Sequence, residues 1–146
     1  MKTRILGALA GLALMAGALA YAEDKAAAPA LKCPVSGKAA SADHVVDFNG
    51  GKVQFCCDKC PVAFQADTAK YAAKANLQLV QSGQLKQTAC PITGKPIDET
   101  KTAEVGGVKV AFCCDKCKGA VEKATGDDQL NLVFKDTSKG FKAATK

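Results

Sequence analysis

The six residues "FCCDKC" occur twice in this chain, at Phe55–Cys60 and again at Phe112–Cys117, and their reading decides the fold. They hold six of the 8 cysteines; the other two, Cys33 and Cys90, each open a Cys-Pro turn upstream. Sliding the sequence against itself by 57 positions aligns Cys33–Cys60 with Cys90–Cys117 without a gap, and 13 of the 28 paired positions are identical. Such an internal duplication predicts two tandem units rather than one domain knitted across both halves.

Each unit begins with a Pro-Gly turn, "CPVSGK" at Cys33–Lys38 or "CPITGK" at Cys90–Lys95, which can aim a cysteine and neighbouring backbone N–H groups at one point. A hairpin comes next. His44–Phe48 and Lys52–Phe55 flank the turn Asn49-Gly50-Gly51, and Thr102–Val105 and Val108–Phe112 flank Gly106-Gly107. The second strand runs directly into the thiols, after which the pattern turns helical. Pro61 suits a first helical turn, with Val62, Phe64, Tyr71 and Ala72 toward one side and Leu77, Leu79 and Val80 closing the unit. The second copy offers Ala120, Val121 and Ala124, a break at Gly126, then Leu130, Leu132, Val133 and Phe134.

The expected fold class is therefore α+β, with two small units at 33–81 and 90–134, each a Cys turn, a β-hairpin and a short helix. Residues 82–89 read as a polar linker, and residues 23–32 and 135–146 as flexible ends, the latter basic. A unit of about 45 residues has a core too small to stand without a staple, either disulfide or metal.

Composition narrows the function. The 146 residues carry 20 basic and 14 acidic side chains, one His and no Trp. Lys2 and Arg4 precede an apolar run from Ile5 to Leu19 that ends in Ala20-Tyr21-Ala22, which predicts a signal peptide over 1–22 and a periplasmic or secreted protein. A membrane anchor fits less well, because the run is rich in Gly and Ala and shorter than the roughly 20 apolar residues a span needs. No stable membrane insertion is expected after cleavage. Beyond Arg4 every cation is a lysine, so the side chains that read or stack on bases are missing and nucleic-acid binding is not expected. No Ser-His-Asp set, phosphate-cradling glycine loop or paired carboxylates at suitable spacing is found, and no enzymatic activity is expected.

The thiols remain. Within a unit their spacing is Cys33-x22-Cys56-Cys57-x2-Cys60, or Cys90-x22-Cys113-Cys114-x2-Cys117. Cys57 and Cys60 form a C-x-x-C at a strand-to-helix junction, where the helix dipole favours a thiolate at Cys60, the form that Cu(I) and Zn(II) require. Three converging sulfurs suit trigonal Cu(I), and four suit tetrahedral Zn(II). Neighbours on a strand point to opposite faces, so one of Cys56 and Cys57 is expected to be the firm ligand, and the spacing leaves open which. The same holds for Cys113 and Cys114. His44 is a poor ligand candidate because Lys101 takes its place in the second copy; it reads as a strand surface residue. Asp58 and Asp115 are expected to cap the following helices. Lys59 and Lys116 read either as cations that lower thiol pKa values or as solvated turn residues.

With "CPVSGK…NGGKVQFCCDKC" and "CPITGK…VGGVKVAFCCDKC" each followed by a short helix, about two-thirds of the chain resembles the YHS/TRASH group of small, treble-clef-like heavy-metal-binding domains. The resemblance implies that Cys33, Cys56 and Cys60, and likewise Cys90, Cys113 and Cys117, fall on the group's ligand pattern. The chain departs from the better known form, whose turn reads like "DPVCGM", by carrying Ser36 and Thr93 where that form has its cysteine.

These readings converge on an exported protein whose two modules each bind one soft metal ion, copper or zinc, with mercury also suited, for sequestration, transfer or sensing. Its partners would be the metal and a metal transporter or a donor or acceptor protein. Two alternatives use the same residues. A disulfide-stapled scaffold would pair Cys33 and Cys90 with cluster cysteines, though adjacent cysteines bridge poorly. A thiol-disulfide oxidoreductase would use Cys57/Cys60 and Cys114/Cys117, but no βαβ unit surrounds them.

Overall fold

Two-residue turns shape both hairpins. Asn49 and Gly50 adopt φ 48° and 78°, and Gly106 and Gly107 adopt 59° and 79°. Positive φ at both central positions matches the right-handed twist of paired strands, so each turn folds the chain tightly back on itself. The computed structural model, which describes residues 30–144, places β1 at Ser41–Phe48 and β2 at Gly51–Phe55, and in the second unit β4 at Asp98–Val105 and β5 at Val108–Phe112. Both pairs are antiparallel, and their register shifts at the same point of the repeat, between Ser41 and Val45 and between Asp98 and Thr102. The signal-peptide reading of 1–22 and most of the segment 23–32 lie outside the described residues.

Each unit carries two helices where the sequence pattern suggests one. In the first unit α1 (Lys59–Ala66) stops at Asp67, whose backbone leaves the helical region (φ −143°, ψ 68°) and whose carboxylate accepts from the Lys70 N–H at 3.2 Å to start α2 (Thr68–Gln81). In the second, Ala124 and Thr125 are extended and Gly126 (φ 57°) restarts the chain, separating α3 (Asp115–Lys123) from α4 (Gly126–Phe134). The break at Gly126 is where the sequence suggests it.

Helix start points also decide which apolar residues turn inward. In α1 Cys60 and Phe64, four residues apart, share the buried face, which sends Val62 to the opposite side, where it is 68% exposed. Leu132 is displaced in the same way by Val133 and Phe134, and Ala120 is exposed beside the buried Val121. The inward positions expected for Val62, Leu132 and Ala120 are thus corrected.

The two tandem units share one core. Phe55 and Phe64 pack at 5.3 Å between ring centres and Phe48 meets Phe64 edge-on at 5.2 Å, while Val105, Val110, Phe112, Val121, Val133 and Phe134 fill the second half. Helix α2 lies between the halves. Its Leu79 occupies the space where Gly51 would carry a Cβ (2.7 Å), and its Leu77 does so at Gly106 (2.6 Å). The buried Asn76 accepts from the Asn49 amide and donates to the Phe134 carbonyl, both at 2.7 Å, so one side chain ties the first hairpin turn to the end of α4.

The stretch read as a linker is structural. β3 (Leu85–Gln87) pairs antiparallel with β6 (Phe141–Ala143), and Phe141, within the segment read as a flexible tail, is buried with its ring 5.6 Å from that of Phe134. Alternation explains it: Leu85 and Phe141 face inward while Lys86 and Lys142 face water, a pattern too short to stand out in a lysine-rich sequence.

A pair of glutamines completes the frame. Buried Gln78 of α2 donates to the Lys32 and Gln54 carbonyls (2.9 and 2.8 Å) and accepts from the Gln54 N–H (2.6 Å). In the second unit Gln87 of β3 donates to the Ala89 and Ala111 carbonyls (3.1 and 2.6 Å) and accepts from the Ala111 N–H (2.9 Å). Lys32 and Ala89, and Gln54 and Ala111, are equivalent positions of the repeat; Gln78 and Gln87 are not. Two different elements have supplied the same amide clamp, which holds the hairpin edge to the residue preceding the Cys turn.

Replacing Gln78 by Ala leaves the Gln54 N–H and two carbonyls without partners, so the reduced protein should lose about 1–3 kcal/mol in urea unfolding. Gln81→Ala, which removes only an exposed bond to the Gly106 carbonyl, should cost less than about 0.5 kcal/mol. Equal losses for the two variants would refute the clamp.

Candidate metal centres

Each centre is assembled from three local structures. The first is the Cys turn, in which the Cys33 carbonyl accepts from the Gly37 N–H and the Cys33 N–H donates to the Lys38 carbonyl, both at 2.8 Å; Cys90, Gly94 and Lys95 repeat this at the same distances. Gly37 (φ 72°) and Gly94 (φ 71°) permit the closure. The second is the strand end. β2 stops at Phe55 and β5 at Phe112, so the alternation that would separate adjacent side chains no longer applies, and Cys56 and Cys57 bring their sulfurs to 3.8 Å. Cys113 and Cys114 reach 3.7 Å. The third is the helix start, which carries Cys60 and Cys117, both buried.

Cys33, Cys56 and Cys60 place their three sulfurs within 4.8 Å of one another, and so do Cys90, Cys113 and Cys117. The Cys56–Cys60 separation is 3.6 Å and Cys113–Cys117 is 3.8 Å. A tetrahedral ion with metal–sulfur bonds of about 2.3 Å holds its sulfurs about 3.8 Å apart, so these pairs already stand at ligand spacing. Cys57 lies outside the first triad, its sulfur 3.5 Å from Cys60, and Cys114 lies outside the second, 3.7 Å from Cys117. All eight cysteines are free thiols. The pairing of Cys33 or Cys90 with a cluster cysteine, which a stapled scaffold requires, is not formed.

Charge is unevenly spread over the sulfurs. Burial works to raise the Cys33 pKa, but the Ser36 hydroxyl and the backbone N–H groups of Ser36, Cys56 and Val35 outweigh it and hold the thiol at about 6. Cys90 is likewise at about 6, with Thr93 in the place of Ser36. The sulfur contacts of Cys60 and Cys56 lower Cys57, helped by the Lys59 backbone, and the Cys117 backbone and sulfur lower Cys114. Cys60 and Cys117 go the other way, pushed up to about 12 by burial and by the neighbouring sulfurs, including the Cys33 or Cys90 thiolate. The expectation that the helix start would favour a Cys60 thiolate is thereby corrected, because burial and then the crowded sulfurs push the thiol up. A metal cation among these sulfurs would supply the charge that lets the last one ionise.

Several flanking residues take other roles than the sequence suggests. The Asp58 and Asp115 side chains make no helix cap. Asp58 instead pairs with His44 Nδ1 at 2.8 Å, and Asp115 with Lys101 Nζ at 2.8 Å. His44 and Lys101 are equivalent positions, so the duplication has kept a contact to the aspartate across the thiol turn while changing the residue that makes it. Lys59 and Lys116 lower the Cys57 and Cys114 thiols through their backbone N–H groups. Sequence reasoning missed Ser36 and Thr93, whose hydroxyls lie 3.1 and 3.3 Å from the Cys56 and Cys113 sulfurs. The available signal was that both copies keep a hydroxyl there.

The two centres differ in their outer covering. The Cys33 turn borders a cleft of about 700 Å³ that reaches Leu77, the Gly106-Gly107 turn and Leu130. In the second unit Gly140 is pressed so closely on the Cys90 turn that an added Cβ would stand 2.7 Å from Pro91 Cα and 3.0 Å from the Ala89 carbonyl.

Among the described residues no helix is long and apolar enough to cross a membrane. Comparison with protein-family models, with curated proteins and with solved structures finds no match for this chain.

Two outcomes are expected from these contacts. Ser36→Ala should raise the Cys33 thiol above about 6, moving the titration of its Cβ carbon in NMR to higher pH and leaving Cys90 unmoved; an unchanged Cys33 midpoint would exclude the hydroxyl as its cause. Gly140→Ala should disturb the second centre alone, shifting the Cys90 Cβ resonance while that of Cys33 stays in place.

Proposed function

We propose that the protein binds soft, thiophilic metal ions, one copper or zinc ion in each unit, for sequestration or for transfer to another protein. The observation that carries this reading is the triad of sulfurs within 4.8 Å in both copies, free of disulfides. Sulfur selects soft and borderline ions over magnesium or calcium. The triads Cys33/Cys56/Cys60 and Cys90/Cys113/Cys117 are the ligands, with Cys57 and Cys114 at their margin. The resemblance to YHS/TRASH domains points the same way, as do two thiols held near pKa 6, which deprotonate at little cost when a metal arrives.

No catalytic step belongs to this function. Half-exposed sulfurs at Cys56 and Cys113 suit exchange, because an acceptor's thiols can reach the ion, whereas a purely structural zinc site is closed on all sides. The signal-peptide pattern of 1–22 supports a periplasmic or secreted setting, with a metal transporter or a donor protein as partner.

The reduced full chain, titrated with Cu(I) or Zn(II) under a competing chelator, should take up one ion per triad. Cys60→Ser should leave one ion and the joint variant Cys60→Ser/Cys117→Ser none. Unchanged uptake in the joint variant would defeat the proposal.

A further inference from the structure

The triads of the metal reading use three sulfurs in each unit, yet each unit holds four. The surplus thiols stand in one place of the repeat. Cys57 lies 3.5 Å from Cys60, the shortest sulfur–sulfur approach among these contacts, and Cys114 lies 3.7 Å from Cys117. Each is half-exposed, whereas the partner it touches is buried and belongs to a triad. Resting on the metal reading above, we propose that Cys57–Cys60 and Cys114–Cys117 are reversible disulfide sites that disable the metal centres by withdrawing one ligand from each triad.

Local geometry favours this pair over its competitors. The Cys60 N–H donates to the Cys57 carbonyl at 3.2 Å, so the turn that a C-x-x-C disulfide must close is already formed. Cys56 is also near Cys60, but its sulfur is engaged by the Ser36 hydroxyl at 3.1 Å and is thereby held toward the Cys33 turn. Bonding between Cys56 and its neighbour Cys57 would close a strained eight-membered ring. In the second unit Thr93 stands against Cys113 and Cys114 against Cys117 in the same way, while the backbone differs, the Cys114 carbonyl accepting from the Lys118 N–H at 3.2 Å. Cys33 and Cys56 would be left as a two-sulfur remnant.

The reaction is thiol-disulfide exchange with a small disulfide such as oxidised glutathione. The Cys57 thiolate attacks one sulfur of the glutathione disulfide, breaking its S–S bond and releasing one glutathione thiolate. The Cys60 sulfur, giving up its proton to that thiolate, then attacks Cys57, breaks the mixed disulfide and releases the second glutathione, which takes a proton from solvent. Two electrons leave the protein, which becomes lighter by two hydrogens for each closed pair. Metal and disulfide compete for the same Cys60 sulfur, so each should exclude the other.

The test uses the full chain and its Cys57→Ser/Cys114→Ser variant, each reduced, then incubated metal-free with oxidised glutathione. Zn(II) uptake is measured before and after, with peptide mapping of the disulfides. Wild type should bind one ion per triad when reduced, lose uptake at both centres when oxidised, and yield the Cys57–Cys60 and Cys114–Cys117 peptides. The variant should bind equally when reduced and keep its uptake after oxidant, and wild type loaded with Zn(II) beforehand should resist oxidation. Oxidised wild type that still binds metal, disulfides mapped to Cys33 or Cys56, or a variant that fails to bind when reduced would each overturn the proposal. Failure of reduced wild type to bind would instead remove the metal reading on which it stands.

Discussion

A two-stranded hairpin has an unpaired edge, and here the positions of all the thiols depend on how that edge is closed. Peptide groups buried without partners are costly, so something must meet the Gln54 and Ala111 backbones where the core covers them. A glutamine amide offers one acceptor and two donors, enough to satisfy a strand residue in both directions and still reach a further carbonyl. That further carbonyl belongs to Lys32 or Ala89, the residue before each Cys turn. The clamp therefore fixes the turn cysteine opposite the strand-end cysteines, and the triad spacing follows from it. Beside the clamp, the Ser36 and Thr93 hydroxyls reach from the turns to the Cys56 and Cys113 sulfurs at the strand ends.

Once the sulfurs are held together, their charges cannot be independent. One sulfur in each unit ionises readily because hydroxyl and backbone donors surround it, and that charge makes ionisation of the buried helix-start sulfur harder. The donors for the first come from the Cys turn itself, so the turn that delivers the ligand also activates it. Ser36 and Thr93 perform the same task with different side chains, and His44 and Lys101 do so for the contact to the aspartate across the thiol turn. What the duplication has preserved is the interaction rather than the residue.

Much of this was legible in the sequence. The hairpins announced themselves through Asn49-Gly50 and Gly106-Gly107, because φ > 0 at both turn residues leaves few other residue types. The α+β class, the two tandem units and the convergence of turn, strand-end and helix-start cysteines followed from the duplication. Helix interruption at Asp67 was hidden because its carboxylate competes for a backbone N–H that a continuous helix would also have used. Strands β3 and β6 were hidden because three residues carry too little alternation, and because their pairing joins segments far apart in sequence. Gln78 and Gln87 were invisible to the repeat comparison, since they arise at non-equivalent positions. The order of sulfurs within the triad also required three dimensions: which of two adjacent cysteines joins it depends on where the strand ends.

The pairing of β3 with β6 bears on the order in which the chain can take shape during synthesis. The elements of the first unit, from the Cys33 turn through α2, are contiguous, and its clamp residue Gln78 comes from its own helix. The second unit takes its clamp from β3, ahead of its Cys turn, and its covering strand from Phe141–Ala143 beyond α4. Closing that sheet requires a loop of more than fifty residues, with the entropy cost such a loop carries. The first unit's elements therefore emerge together, before the chain that closes the second unit's sheet, and α2 precedes the α4 that packs against it. The second unit, similar in sequence, becomes the later and more dependent partner.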